Sequence, residues 1–358
     1  MDKRIRRLRK EEYSFIVDFF ERTYKKNYTL SNKAHFDWLF DNHLNDSDSE
    51  YTAVIALNKA GSIIGFYAWV PVSFYYFGKL IRCNYQMNMM IEEKYRMLGY
   101  GYLLLKEVES NGSDLGVTLN VGMNGRRLIE PAGWKISDLD RFIFVINEQK
   151  TSELIDNPAV QVEAGSFPLI PGTGSLNFCK IAHADDRLTK LSKKLCGKYP
   201  ITLNRDAAYV QWRWFEHPLL TYMVYVISLE DELVAYIVLR VEEYKQYKIG
   251  RLLDFISTDD AECFALANLL RECKALNIDF VDYFMLGAIH GESLALSGFI
   301  LAEGNGYHNI PMVFNPPDLR PSVNFTYKVF NQNVFDERVD DVSNWHINKA
   351  DADGDRAN

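Results

Sequence analysis

Asn88–Glu109 reads NMMIEEKYRMLGYGYLLLKEVE, and the order of its parts decides the fold. It opens on the end of an apolar run, Leu80–Ile91, whose pattern suits a strand. Arg96-Met97-Leu98-Gly99-Tyr100-Gly101 follows, and Tyr102–Glu109 then takes helical spacing, stopping near Gly112. Glycines between a strand and a helix N-terminus free several backbone N–H groups to point at one anion, and the helix dipole adds to the attraction. Such a turn cradles a pyrophosphate; the same glycines also serve a plain tight turn. It is not a dinucleotide fingerprint, because Leu104 stands where the third glycine belongs, and no Lys-Ser/Thr pair makes it a P-loop.

Working outward, strands are expected at Ile5–Leu8, Thr52–Leu57, Ile63–Phe77, Leu115–Val121 and Arg141–Ile146. Helices are expected at Glu11–Lys26, Asn32–Leu44 and Arg126–Ala132. The Gly/Pro/Ser-rich stretch GSFPLIPGTGS, 165–175, reads as a linker. Beyond it come a helix at Arg205–Glu216, strands at Tyr222–Leu229, Leu233–Glu242 and Gly250–Ser257, a helix at Ala261–Leu276 and a strand at Phe280–Leu286. The two halves repeat. Trp38 to His43 matches Trp212 to His217, Gly65-Phe66-Tyr67 matches Ala235-Tyr236-Ile237, and Gly133-Trp134 matches Gly298-Phe299, always in the same order. Self-similarity at this spacing means two copies of one domain. The expected organisation is α/β (α+β type): domain 1–150, linker 151–175, domain 176–345 and a mobile tail 346–358. Each domain is a mixed twisted sheet flanked by helices.

The 358 residues are 47% hydrophobic and 25% charged, an ordinary globular composition that excludes a disordered or fibrous chain. A net charge of −8 argues against a nucleic-acid partner, whose binding runs on excess Lys and Arg. Five cysteines show no zinc-site spacing and read as reduced and mostly buried. The longest near-apolar run, Ile63–Phe77, is too short to span a bilayer and contains Gly and Pro. These features lead us to expect a soluble cytoplasmic protein with no membrane partner and no metal, since the terminal Asp-rich loop lacks the Glu of a calcium site.

The run 88–109 resembles the acyl-CoA site of the GNAT acyltransferase superfamily: strand, then R/Q-x-x-G-x-G/A, then helix, matched by Arg96, Gly99 and Gly101. Leu115–Trp134 resembles the strand, helix and Gly-aromatic ending that complete that fold. The resemblance implies acyl-CoA as co-substrate. Amides of Met97, Leu98, Gly99, Tyr100, Gly101 and Tyr102 would hold its pyrophosphate, with Arg96 alongside, and the backbone of Met89, Met90 and Ile91 would pair with its pantetheine arm. A tyrosine acid common in the family is replaced by Ile129, and the matching Leu294 is no better. The second copy has Ser257 to Glu262, STDDAE, where the phosphate loop belongs. Carboxylates there satisfy the helix dipole and repel a phosphate, so one CoA is expected, in the first half.

The sequence QWRWFEHP, 211–218, followed by a Val-Ala-Tyr strand and a strand ending in Asp254, resembles tandem GNAT proteins of bacterial surface-polysaccharide pathways, which are similar to nucleotide-sugar N-acyltransferases. That implies N-acylation of an amino sugar on dTDP or UDP, by acetyl or a short 3-hydroxyacyl group. Two other readings stand beside it: an aminoacyl-tRNA-dependent peptidyl transferase, and a non-catalytic module binding CoA or a sugar nucleotide. Assembly as a homodimer is left open.

Candidate substrate residues are Asn84 and Asn88 on the polar face of the strand, and Asn120, Asn124, Arg126 and Arg127 beyond the next one. The arginines either pair with a phosphate or are solvated charges. His290, on a glycine-flanked turn, and Asp254, ending an apolar strand, are the candidate proton acceptors. If Asp254 is buried it needs a partner, for which Arg213 and Arg240 are candidates. The repeated tryptophans are expected to fill the core of each copy, or to stack on a base.

Overall fold

The computed structural model describes residues 4–24, 26, 28–42, 44–155, 160–169, 175–287, 289–314, 317–318 and 322–351. In chain order the first half contributes strand β1 (Arg4–Arg9), helices α1 (Tyr13–Thr23) and α2 (Lys33–Phe40), strands β2 (Glu50–Leu57), β3 (Ile63–Tyr76) and β4 (Lys79–Ile91), helix α3 (Tyr100–Glu109), β5 (Leu115–Leu119), α4 (Met123–Ile129) and β6 (Lys135–Val145). After α5 (Glu148–Ser152) the order recurs. It runs β7 (Leu176–Ile181), α6 (Asp186–Leu195), β8 (Ile201–Leu203), α7 (Ala207–Val210), β9 (Met223–Leu229), β10 (Glu232–Tyr244), β11 (Tyr247–Ser257), α8 (Glu262–Ala275), β12 (Phe280–Leu286), α9 (Gly291–Leu296) and β13 (Ile300–Leu301). A short hairpin of β14 (Val313–Phe314) and β15 (Pro317–Asp318) leads to β16 (Val323–Val329) and β17 (Trp345–Asn348). The expected α/β class and mixed sheets are present. The helix expected at Arg205–Glu216 is shorter: α7 gives way to a wider turn at Gln211–Phe215.

Among the described residues, fifteen strands form one continuous sheet that runs across the boundaries expected at 150 and 175. β6 pairs through Lys135–Leu139 with β16, then through Asp140–Val145 with β12, and also with β13. In return β16, from near the C-terminus, lies between β5 and β6 and completes the first sheet. Each copy thus lends the other a strand. A second seam runs β3–β8–β17–β12. The expected linker is packed rather than free: Thr151, Ile155 and Val162 are buried, and the Gly165 N–H donates to the Val145 carbonyl at 2.8 Å. Residues 170–174 lie outside the described residues, as does His43. The expected mobile tail is corrected for 346–351: His346, Ile347, Asn348 and Asp351 are all buried.

Two of the repeated positions share a local geometry. Gly133 and Gly298 both take a positive φ, 88° and 85°, and the following aromatic N–H closes on Ile129 in one copy and Leu294 in the other. Trp38 and Trp212 do not fill separate cores. They stack on each other at 4.9 Å, and each indole N–H donates to the other's carbonyl at 2.9 Å, a reciprocal pair between the two halves of the chain. Among the cysteines, Cys83 and Cys273 are buried, Cys179 is exposed and the other two are half-buried. No helix among the described residues is long and apolar enough to cross a membrane.

Candidate functional site

β4 and β5 run parallel and pair only through Cys83–Tyr85 against Leu115–Val117. Beyond Tyr85 they part, while β4 stays bonded to β3 as far as Ile91. The cause is a bulge. Met87 faces Ala68 and Met90 faces Phe66, so Asn88 and Met89 together oppose Tyr67. Asn88 takes φ 61°, which asparagine tolerates better than most residues, and its side-chain oxygen accepts from the Tyr28 hydroxyl at 3.0 Å. Asn88 to Ile91 are half-buried and present one backbone edge to the gap. An extended chain bearing amides fits such an edge as an added strand.

The glycine turn stands at the open end of this gap. Gly99 caps α3 at φ 81°, Met97 takes φ 62° with its side chain fully exposed, and the first bond into the helix runs from Leu103 N–H to Gly99 carbonyl at 3.3 Å. The Gly101 and Tyr102 amides in the first turn therefore have no carbonyl above them within the helix. A Cβ at Gly101 would lie 3.2 Å from Ile91 and 3.3 Å from Leu128, so this glycine lets α3 pack tightly on β4 and α4. Arg96 is exposed, with its Nε donating to the Ile91 carbonyl at 3.1 Å. The residues fit a pyrophosphate joined to an amide-bearing arm: anion donors at the helix end, a free strand edge leading inward.

The second copy has the same gap and fills it with itself. β11 and β12 pair through Ile249–Leu252 and Phe280–Tyr283, and a bulge at Leu253 separates Asp254 from Leu252. β17 then pairs with Met285 and Leu286, so the far end of β11 is wholly buried. At the N-terminus of α8 the anion is Glu262, held by Lys198, Ser293 and His290 Nδ1 (2.9 Å). These partners outweigh its burial and keep the carboxyl down at about 2.

His290, expected as a catalytic base, has no exposed surface. Its Nε2 meets the Tyr199 hydroxyl at 3.3 Å, and burial lowers its affinity for a proton although Glu262 opposes this. It ties α8 to the following turn. Asp254 is equally buried, and its partner is neither Arg213 nor Arg240 but Arg205, whose Nε donates to both its oxygens at 2.7 and 2.9 Å. Arg205 also holds both oxygens of Asp351 at 2.9 Å, while Asn348 donates to Asp254 at 2.7 Å. Arg213 instead lies over the rings of Trp38 and Trp214, and Arg240 sits 3.5 Å from Glu242. Of the asparagines, Asn84 is buried and donates to Asn111, away from the gap, and Gln86 accepts from Tyr67. Asn120, at φ 57°, bonds through its N–H to the Asn324 carbonyl just past β5, and Asn124, Arg126 and Arg127 lie on α4 beyond it. Arg126 comes within 3.9 Å of Asp138. Arg205 and Tyr28 were missed in sequence because their partners are distant in the chain; Asp351 was misread because an Asp-rich end resembles a solvated tail.

The sequence matches no family model and no curated protein. In structure, the chain is similar to a GCN5-related N-acetyltransferase of Anabaena variabilis, with TM-score 0.61 and 13% identity over 92% of this chain and 73% of that one. A GCN5-related N-acetyltransferase of Kribbella flavida gives 0.58 and 10% over 92% and 71%. Saccharomyces cerevisiae N-myristoyltransferase, with bound myristoyl-CoA, gives 0.54 and 12% over 91% and 78%. At these identities the likeness is one of fold. The chain has the GNAT fold.

Proposed function

We propose that the chain is an acyl-CoA-dependent N-acyltransferase that acts on the amine of an amino sugar carried on a nucleoside diphosphate. The observation that carries the reading is the contrast between the copies: one β-gap is open beside a glycine turn, the other is filled by β17 and Glu262. A fold that closes one gap with its own chain and leaves the other free is consistent with one acyl donor, held in the first copy. Arg96 and the amides of residues 97–102 would hold the pyrophosphate, and Met89 to Ile91 the pantetheine arm. The amide turned by the bulge near Met90 would donate to the developing oxyanion, where preorganised donors act most strongly. Asn88, Asn120, Asn124, Arg126 and Arg127 would contact the acceptor. The neighbours named N-acetyltransferase and N-myristoyltransferase support transfer to an amine.

Calorimetry with acetyl-CoA tests the donor. One site is expected for the wild type, weakened about tenfold in Met97→Glu, which sets a carboxylate beside the phosphates at a fully exposed position. Thiol release with dTDP- and UDP-linked amino sugars tests the acceptor. No binding at millimolar acetyl-CoA would overturn the donor assignment; binding with release on other amines alone would overturn the amino sugar.

A further inference from the structure

Successive side chains of a regular strand fall on opposite faces of the sheet. At the bulge of β4 two in a row fall on one face. Met87 belongs to the core that contains Phe20 and Phe36, and Asn88 turns its side chain the same way to reach Tyr28, a member of that core. Beyond the bulge the alternation resumes with its phase reversed: Met89 and Ile91 pack with Leu104 of α3, and Met90 packs on the Phe20 side. The left-handed backbone at Asn88 therefore sets the direction of every group after it, the amide near Met90 included.

Nothing on the β5 side holds that backbone, because β4 and β5 have already parted at Tyr85. The restraint comes from the opposite direction. Tyr28 lies between α1 and α2, and its ring is fixed: it packs edge-on against Phe20 at 5.6 Å, and Phe20 packs edge-on against Phe66 at 5.1 Å. Phe66 is the β3 residue paired with Met90. The path thus closes on the bulge at both ends, through the Tyr28 hydroxyl that donates to the Asn88 side-chain oxygen at 3.0 Å and through the strand pairing of Met90.

We propose that Tyr28 is a positioning residue of the acyl-transfer site, a role that rests on the acyltransferase reading above. Its hydroxyl holds the Asn88 carboxamide, which keeps the backbone left-handed there and aims the amide near Met90 at the thioester carbonyl oxygen. Tyr28 acts through Asn88 and need touch neither donor nor acceptor. Without the hydroxyl the bulge is free to shift between Asn88 and Met89, which carries the amide off the oxygen. A shift of about 1 Å is enough to lose most of what a preorganised donor supplies.

Infrared spectroscopy of bound acetyl-CoA, enriched with carbon-13 at the thioester carbonyl, reads this contact, and calorimetry reads the affinity. In the wild type the bound carbonyl stretch should lie below that of free acetyl-CoA. Tyr28→Phe keeps the ring and removes one hydroxyl, so it should bind acetyl-CoA within about twofold of the wild type while losing at least half of that displacement. Asn88→Gly tolerates the left-handed backbone but offers no oxygen, and should lose as much. Tyr13→Phe removes a different hydroxyl packed on the same core, one that donates to the Leu30 carbonyl at 3.5 Å, and should leave the displacement whole. A wild-type stretch no lower than that of free acetyl-CoA, an undiminished displacement in Tyr28→Phe or Asn88→Gly, or an equal loss in Tyr13→Phe would overturn the role. Failure of the wild type to bind millimolar acetyl-CoA would instead remove the acyltransferase reading.

Discussion

Residues 1–150 alone should not fold. The first sheet lacks its central β16 in that fragment, which leaves both β5 and β6 with an unpaired edge. β16 brings Val323, Phe325 and Tyr327, all buried, and the latter two pack on Trp345 at 5.1 and 4.7 Å. Burying a large apolar side chain contributes roughly 1.5–3 kcal/mol, so the three together supply about 5–9 kcal/mol. A whole domain is stable by only about 5–15 kcal/mol, so the missing strand removes most of the margin. Circular dichroism melting and amide exchange provide the assay. The fragment should show no cooperative transition, residues 322–330 added as a peptide should restore part of it, and the full chain should unfold as one unit. If the fragment melts cooperatively near the full-chain Tm, the strand exchange is not what holds the first copy together.

Arg205→Met should cost about 3–5 kcal/mol at pH 8, because it strands two buried carboxylates. Since the folded Asp351 carboxyl is already raised to about 7, its contribution is favourable at low pH and is lost as pH rises through that value. The variant's deficit in urea should therefore shrink at pH 5.5, and a pH-independent deficit would contradict the pairing. Burial, with Arg213 adding, drives His217 down to about 2, and its Nδ1 accepts from the N–H groups of Leu219 and Leu220 at 3.1 and 3.0 Å. Unfolded histidine takes a proton near 6.5, so stability falls as pH drops below that. His217→Asn should lose about 1–2 kcal/mol less than wild type between pH 7 and 5, and parallel losses would refute the neutral ring. Trp38→Phe and Trp212→Phe should each cost about 1 kcal/mol with non-additive energies in the double variant, since the two indoles bond and stack reciprocally; additivity would deny that contact.

What could be read in the sequence was local or repeated. The order strand, glycine turn, helix around Gly99 and Gly101 depends on neighbours in the chain, and the structure has it in place. The Gly-aromatic endings at Gly133 and Gly298 appear twice because two copies need the same left-handed residue to end a helix. The acids at Asp259 to Glu262 pointed to a helix end that supplies its own anion, and Glu262 stands there, held by Lys198. Asp254 was legible as a buried carboxylate requiring a cation, but its partner was not, because many arginines satisfy that condition and only packing selects Arg205.

By itself, then, the sequence determined the class of fold and the place of a glycine turn between a strand and a helix. Those follow from periodicity, glycine placement and charge at helix ends, all fixed within a few residues of chain. The tertiary structure alone decided that β6 and β16 cross between the two halves, that β17 closes the second gap, and that Arg205 is the cation of Asp254 and Asp351. Strand pairing across long separations leaves no local signature, because an apolar alternating strand suits either sheet. What chooses between them is the shape and the unpaired edges of the assembled core.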